Sequence, residues 1–294
     1  MTLSGWRGPT QSGDAEPAHP APSPIIRAAP ELPPPAALMA RAGSENFTVA
    51  SVLLPRRQRA ALLALYGYAR LVDDTGDEVS GDRLALLDWI EHDLDRAYEG
   101  RAQHPLLQAL TPALHAHDLP RDPLVRLIDA NRQDQHKATY ETYAELQAYC
   151  HLSADPVGEL VLHVLGLATP ERIAHSDGVC TALQIAEHLQ DVVEDGERGR
   201  VYLPLQDVRR FGGATTAPAL IAFERERAQA LLQQHGRPLI GSMKGRARFA
   251  VAGFVGGGRA ALQAIAAAGD DVSAGPPRAG GRQRLRAVVR ALRA

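Results

Sequence analysis

An all-α fold is what this 294-residue sequence predicts. Three observations predict it. Apolar residues recur at helical spacing, with almost no strand-like alternation. Ala, Leu and Arg are plentiful while aromatics make up only 5%, a mix that favours helices over sheets. Breakers such as Gly81, Gly100, Pro120, Pro170, Pro204 and Gly236 separate several of the periodic runs. With 45% hydrophobic residues the chain can bury a sizeable core.

Residues 1–40 are rich in Pro, Ala, Gly and Ser and end near Pro33-Pro34-Pro35. Such a segment buries too little apolar surface to offset its ordering entropy, so disorder is expected. Helices are expected near 56–74, 82–99, 104–116, 121–137, 141–152, 156–168, 177–195, 216–234 and 244–268, forming one domain over 41–269. Residues 270–281, with Gly275-Pro276-Pro277, suit a flexible linker. After it, Arg282, Arg284, Arg286, Arg290 and Arg293 alternate with Leu285, Val288, Val289 and Leu292 in a basic amphipathic helix. That helix suits either an anionic lipid surface or a solvated position. No repeat of 20–50 residues points to a solenoid.

A net charge of −2 argues against a general nucleic-acid partner. Cys150 and Cys180 form no close-spaced metal motif and sit on apolar helix faces as core residues. Without a secretory signal, a reduced cytoplasmic setting is expected. No run approaches the ~20 apolar residues of a membrane span, so any membrane contact is expected to be peripheral, at the inner face. Gly256-Gly257-Gly258 follows no strand; it suits close helix packing or a kink rather than a dinucleotide loop.

The chemistry concentrates in two acidic clusters. The first is Asp73-Asp74-Thr75-Gly76-Asp77-Glu78, and the second is Asp191-Val192-Val193-Glu194-Asp195. In each, an Asp recurs after four residues, so one helical face carries both carboxylates. Such like charges repel by roughly 0.2–0.5 kcal/mol even when exposed, which calls for a counter-charge. Mg²⁺ takes a few carboxylate oxygens and leaves room for water and phosphate. Tyr66, Arg70, Asp73 and Asp77 make a stripe about 16 Å long if the helix persists that far. Gln184, Glu187, Asp191 and Glu194/Asp195 make a second stripe on an otherwise apolar helix. Either stripe alone suits a solvated face. Two together, followed by Gly199-Arg200-Val201-Tyr202, suit opposite walls of a cavity holding a diphosphate through Mg²⁺. His188, beside the second stripe, suits a proton shuttle or a partly buried structural role.

Several segments resemble the squalene/phytoene synthase family. They are Ser44-Glu45-Asn46-Phe47-Thr48-Val49-Ala50-Ser51 through Leu53-Leu54-Pro55, then Ala64-Leu65-Tyr66-Gly67-Tyr68-Ala69-Arg70 with the Asp73 cluster. Tyr149-Cys150-His151-Leu152-Ser153-Ala154-Asp155-Pro156-Val157-Gly158 is similar to its mid-chain signature. Leu183-Gln184 and Gln190-Asp191 through Asp195, with Gly199 through Leu203-Pro204, are similar to its second aspartate motif. The resemblance covers about residues 43–265. The Glu-Asn-Phe opening and Ser-Ala-Asp-Pro-Val-Gly resemble the hydroxysqualene synthases of bacterial hopanoid pathways. Four positions depart from the family pattern: Glu187 stands where many relatives have Asn, Gly76 where squalene synthases have an acid, Gly196 at a commonly aromatic position and Thr48 at a common Pro.

The resemblance implies a single-domain isoprenoid synthase bundle around a central cavity. It implies presqualene diphosphate as substrate and hydroxysqualene as product. The expected metal ligands are Asp73, Asp74, Asp77, Asp191, Glu194 and Asp195, with Tyr66, Arg70, Gln184, Glu187, Arg200 and Tyr202 as catalytic or substrate-holding residues. Other squalene-pathway enzymes are the expected protein partners. The alternatives are condensation of two prenyl diphosphates to presqualene diphosphate or phytoene, a Mg²⁺-dependent nucleotide pyrophosphohydrolase, and a non-catalytic scaffold at the membrane. The pyrophosphohydrolase would need shorter, glutamate-rich motifs and no Gly-Arg-Val-Tyr-Leu-Pro.

Overall fold

Pro55, at φ −54° and ψ 150°, holds the chain extended just ahead of the first long helix, α2 (Arg56–Asp77). The computed structural model describes residues 32–40 and 54–293. The Ser44–Ser51 stretch of the resemblance, and most of the expected disordered segment, lie outside the described residues. Pro35–Ala40 form a short helix, α1, whose Leu38 is buried in the same apolar cluster as Leu62 and Leu65 of α2. Met39 of α1 lies against Gly67, where a Cβ would stand 3.2 Å from its sulfur.

Local chemistry starts most of the remaining helices. Asp82 accepts a hydrogen bond from the Ala85 amide at 3.0 Å and starts α3 (Arg83–Tyr98). His104 caps α4 (Pro105–Ala116), Pro120 precedes α5 (Arg121–Asp134), and Thr142 caps α6 (Tyr143–Ser153). Asp155–Leu165 form α7, which stops at Gly166 in the left-handed conformation, φ 68°. Pro170, which the sequence places between two helices, begins the longest of them, α8 (Pro170–Glu197), ahead of the start expected at 177. Proline at the first helical position loses no intrahelical bond, and Thr169 accepts from the Arg172 amide.

A short helix, α9 (Leu205–Arg210), precedes α10 (Pro218–Gly241). The breaker Gly236 lies inside α10, because a Cβ there would stand 2.9 Å from Val255 of α11 (Gly245–Ala267). The Gly256–Gly258 run serves close packing: a Cβ on Gly256 would meet Val288 Cα at 2.7 Å, and one on Gly258 would meet Leu183 at 2.3 Å. Val288 belongs to the basic helix α12 (Gly281–Arg293). By length and mean hydropathy α11 qualifies as a membrane span, contrary to the sequence expectation. In the bundle, 56% of its apolar stretch is buried, as in the core helix of a soluble fold.

No strand occurs among the described residues; one isolated parallel bridge joins Thr139 and Val201. The apolar interior divides into two clusters. One joins α1–α4 with the Leu124, Leu127 and Ile128 side of α5. The other joins α6, α8, α10 and α11. Helices α5 and α7 stand between them: Ala130 and Leu162 face the second cluster, while Ile128 and Val161 face the first. Polar residues collect where the two clusters meet.

Candidate active site

A cavity of about 240 Å³ opens at that boundary. From α2 it receives Arg70, Asp73 and Asp77, and from α8 it receives Gln184, Glu187, His188, Asp191 and Asp195. The two acidic stripes therefore form two walls of one cavity. Arg200 and Tyr202 follow α8 and line the same space. Backbone bonds set their position: Val201 N–H donates to Ala138 at 2.8 Å and Leu205 N–H donates to Tyr140 at 2.8 Å.

Three expected residues stand off the cavity. Tyr66 is buried but does not line it. Asp74 is buried and takes Arg70, itself a cavity-lining residue, as an ion-pair partner at 2.8 Å. Helical rotation of 100° per residue separates Asp74 from the Asp73–Asp77 face. Glu194 is solvent-exposed and pairs with Arg198 at 2.8 Å. Neither Asp74 nor Glu194 lines the cavity.

The structure adds a wall that the sequence did not disclose. Leu127, Ala130, Asn131 and Asp134 of α5 line the cavity, with Tyr149 and Ser153 of α6. Asn131 donates to Asp73 Oδ1 at 3.2 Å, and Gln135 donates to the Gly76 carbonyl at 3.0 Å. This contact explains Gly76: a Cβ there would stand 2.1 Å from Asn131 Oδ1. An acid at position 76 would occupy the volume that Asn131 fills. The one clue in the sequence was the 127–130–131–134 spacing on one helical face, hidden in a charged stretch that resembles any solvated helix. Tyr149 lies in the quoted mid-chain signature, but its role emerges only from contact. Its hydroxyl donates to Asp134 at 2.7 Å, and its ring lies 5.3 Å from that of Tyr202. His188 stacks on Tyr202 with centroids 4.0 Å apart, and its Nδ1 stands 3.8 Å from Asp195.

The electrostatics follow from crowding acids into a half-dry space. Burial pushes the Asp73 carboxyl up to about 7, against the Asn131 hydrogen bond and the Arg70 charge, while Asp77 and Glu187 raise it further. Burial also raises Asp191, helped by Asp195 and Glu194. Asp134 is pushed up to about 6 by burial, partly offset by Tyr149. Arg200 supplies the compensating charge at one point, 2.8 Å from Asp77. Cys150 is buried, and burial raises both cysteine thiols, Cys180 to about 12, so both read as inert core residues.

The donor set can be tested against Mg²⁺. Among the described residues no three His, Cys, Asp or Glu side chains converge into a closed metal cage. Mg²⁺ does not require one, because it commonly takes one or two carboxylates and completes its shell with water and phosphate oxygens. Carboxylates on separate walls, with Asp73 and Asp191 held above the ordinary carboxylate value by burial, fit that use.

The squalene/phytoene synthase family matches residues 40–293. A hydroxysqualene synthase of Rhodopseudomonas palustris is 37% identical over 215 residues, 68% of this chain and 72% of that protein. A presqualene diphosphate synthase of the same organism is 33% identical over 195 residues, 65% of this chain and 69% of the relative. The crystal structure of squalene synthase HpnC from Alicyclobacillus acidocaldarius superposes with a TM-score of 0.74 at 41% identity, covering 79% of this chain and 92% of that one. With its fold, its two acidic walls and these relatives in agreement, the chain belongs to the squalene/phytoene synthase family.

Proposed function

We propose that this enzyme converts presqualene diphosphate to hydroxysqualene in a Mg²⁺-dependent reaction. The observation that carries the proposal is the placement of Asp73 and Asp77 on α2 and Asp191 and Asp195 on α8, all lining one cavity. At about 240 Å³ this polar space is below the roughly 300–1,000 Å³ of a whole small-molecule pocket, so it suits the diphosphate end of a long substrate. The similarity to hydroxysqualene synthase supports the product.

Asp73, Asp77, Asp191 and Asp195 would hold Mg²⁺. When bound, the metal neutralises the diphosphate and makes it a better leaving group. Asn131 orients Asp73, and Arg200 holds Asp77 in line. The carbon–oxygen bond to diphosphate breaks, and the bonding pair leaves with the diphosphate. The cyclopropylcarbinyl cation rearranges with opening of its ring. Water then forms the new carbon–oxygen bond and releases a proton. Glu187, which lines the α8 wall of the cavity, would receive that proton or hold that water.

The competing reaction is condensation of two farnesyl diphosphates to presqualene diphosphate, which the second R. palustris relative favours. Purified protein incubated with each substrate, with and without Mg²⁺, separates the two by lipid analysis. Hydroxysqualene from presqualene diphosphate, lost in Asp73→Asn and Asp191→Asn, is the expected result. Presqualene diphosphate formed from farnesyl diphosphate would establish the competing reaction, and inertness towards both would overturn the catalytic assignment.

A further inference from the structure

Among the described residues, four large apolar side chains are exposed, and three of them fall on two packed helices. Phe249 of α11 is 50% exposed, and Leu285 and Val289 of α12 are 65% and 36% exposed. Leu285 and Val289 stand four residues apart, so they share one face of α12. The same exposed side carries Arg282, Arg286, Arg290 and Arg293. None of these arginines has an acidic partner on its own helix, which contains no acid. Lys244 and Arg246, near the start of α11, are also exposed.

The charge is strongly segregated. No acid occurs between Glu226 and Asp270 or after Asp271, in a chain whose net charge is −2. The tertiary structure then fixes which side faces out. Ala287 and Ala291 are buried, and Val288 packs on Gly256 so closely that a Cβ would not fit. The Arg248 guanidinium donates to the Leu292 carbonyl at 2.9 Å and pins the far end of α12 to α11. The helix is thereby held by Ala287, Val288, Ala291 and Leu292, with its arginines and with Leu285 and Val289 left outward.

We propose that this α11–α12 face docks the enzyme on an anionic lipid bilayer. Phe249, Leu285 and Val289 enter the boundary between headgroups and acyl chains, and the arginines pair with lipid phosphates. A basic amphipathic helix lies in the interface plane by that combination. Long arginine side chains can extend along the apolar surface while their heads reach phosphate. The charge complementarity favours anionic lipid over a neutral bilayer, and the exposed apolar residues favour lipid over nucleic acid. The surface stands apart from the cavity and does not depend on which prenyl diphosphate the enzyme consumes.

The test is co-sedimentation of the full chain with phosphatidylcholine vesicles, with and without phosphatidylglycerol, at low and high salt. The native chain should bind the anionic vesicles and leave the neutral ones, and salt should weaken binding. Each basic residue near an anionic surface contributes roughly fivefold in partitioning. Arg286→Glu with Arg290→Glu should therefore lower binding about 25-fold or more with an unchanged circular dichroism spectrum. The same reversal at exposed Arg56 and Arg57 should leave binding near native. A Leu285→Trp variant should show a blue shift in emission on adding anionic vesicles. Failure of the native chain to bind, equal binding to neutral vesicles, equal loss from the Arg56/Arg57 variant, or no shift at Trp would each overturn the proposal. So would DNA binding that matches the vesicle binding and survives loss of Leu285 and Val289.

Discussion

Arg200 lies 2.8 Å from Asp77, so a cation supplied after the second acidic motif closes on the last aspartate of the first. The sequence places Arg200 on the diphosphate; the fold makes it the tie between the two walls. Replacing Arg200 with Ala should reduce turnover about a hundredfold or more, as loss of a placed charged donor commonly does. Because both residues act through one contact, the losses in Arg200→Ala and Asp77→Ala should not add in the double variant. Additive losses in steady-state kinetics would show that the pair does not act as a unit.

Gly76 and Asn131 form a second such relationship. Gly76→Ala drives a methyl into Asn131 Oδ1 and should cost about 1–3 kcal/mol of stability, the usual range for overpacking. Adding Asn131→Ala removes the obstructing amide and should recover the melting temperature. It should not recover turnover, because the hydrogen bond to Asp73 is gone. Thermal melts and assays on the two variants check both halves.

Glu187 adds a negative charge that faces Asp73. Glu187→Gln should shift product from alcohol towards alkene or rearranged side products, or change the Mg²⁺ requirement. Product analysis across a Mg²⁺ titration reads both effects. An unchanged profile with unchanged metal dependence would leave Glu187 outside the chemistry.

A pH effect is expected from carboxylates away from the cavity. Burial, aided by the Asp177 charge, pushes Asp155 up to about 7, although Thr181 donates to it at 3.1 Å. Burial likewise pushes Asp177 up to about 6, with the His151 charge opposing. Between the ordinary carboxylate value and 7 the folded state therefore binds more protons than the unfolded state. The stability these groups contribute is complete at low pH and is lost as pH rises through 7. Asp155→Asn, which can still accept from Thr181, should flatten the fall in melting temperature between pH 5 and pH 8. An unaltered slope would place the pH dependence elsewhere.

Leu38 tests the boundary of the domain. It is 1% exposed in α1, against a cluster that includes Leu62 and Leu65. Leu38→Ala should cost about 2–3 kcal/mol, at the lower end for a buried leucine because it lies on a short helix. Truncation through residue 38 should lower the melting temperature by at least as much. A truncated protein as stable as the full chain would show that α1 contributes nothing to the fold.

The sequence by itself determined the helices whose periodicity runs ten residues or more, and the two acidic motifs. Those signals are local: a 3.6-residue apolar period and an Asp pair four residues apart place side chains on a face without reference to the rest of the chain. It misjudged Gly236 as a break and started α8 at 177 rather than at Pro170, because a breaker's effect depends on position and neighbours. Pro170 begins α8, and Gly236 admits Val255. Helical spacing put Asp73 and Asp77 on one stripe and Asp191 and Asp195 on another, but it did not set Asp74 and Glu194 aside from the expected ligands. Asp73 and Asp74 are adjacent in sequence, but only helix rotation and packing against α5 direct one into the cavity and the other onto Arg70. Asn131, Asp134 and Tyr149 carry no local mark of their role, since a polar residue on an amphipathic helix looks the same facing solvent or facing a ligand. Only the meeting of α2, α5, α6 and α8 distinguishes the two, because the desolvation that sets their hydrogen bonds and proton affinities belongs to no single segment.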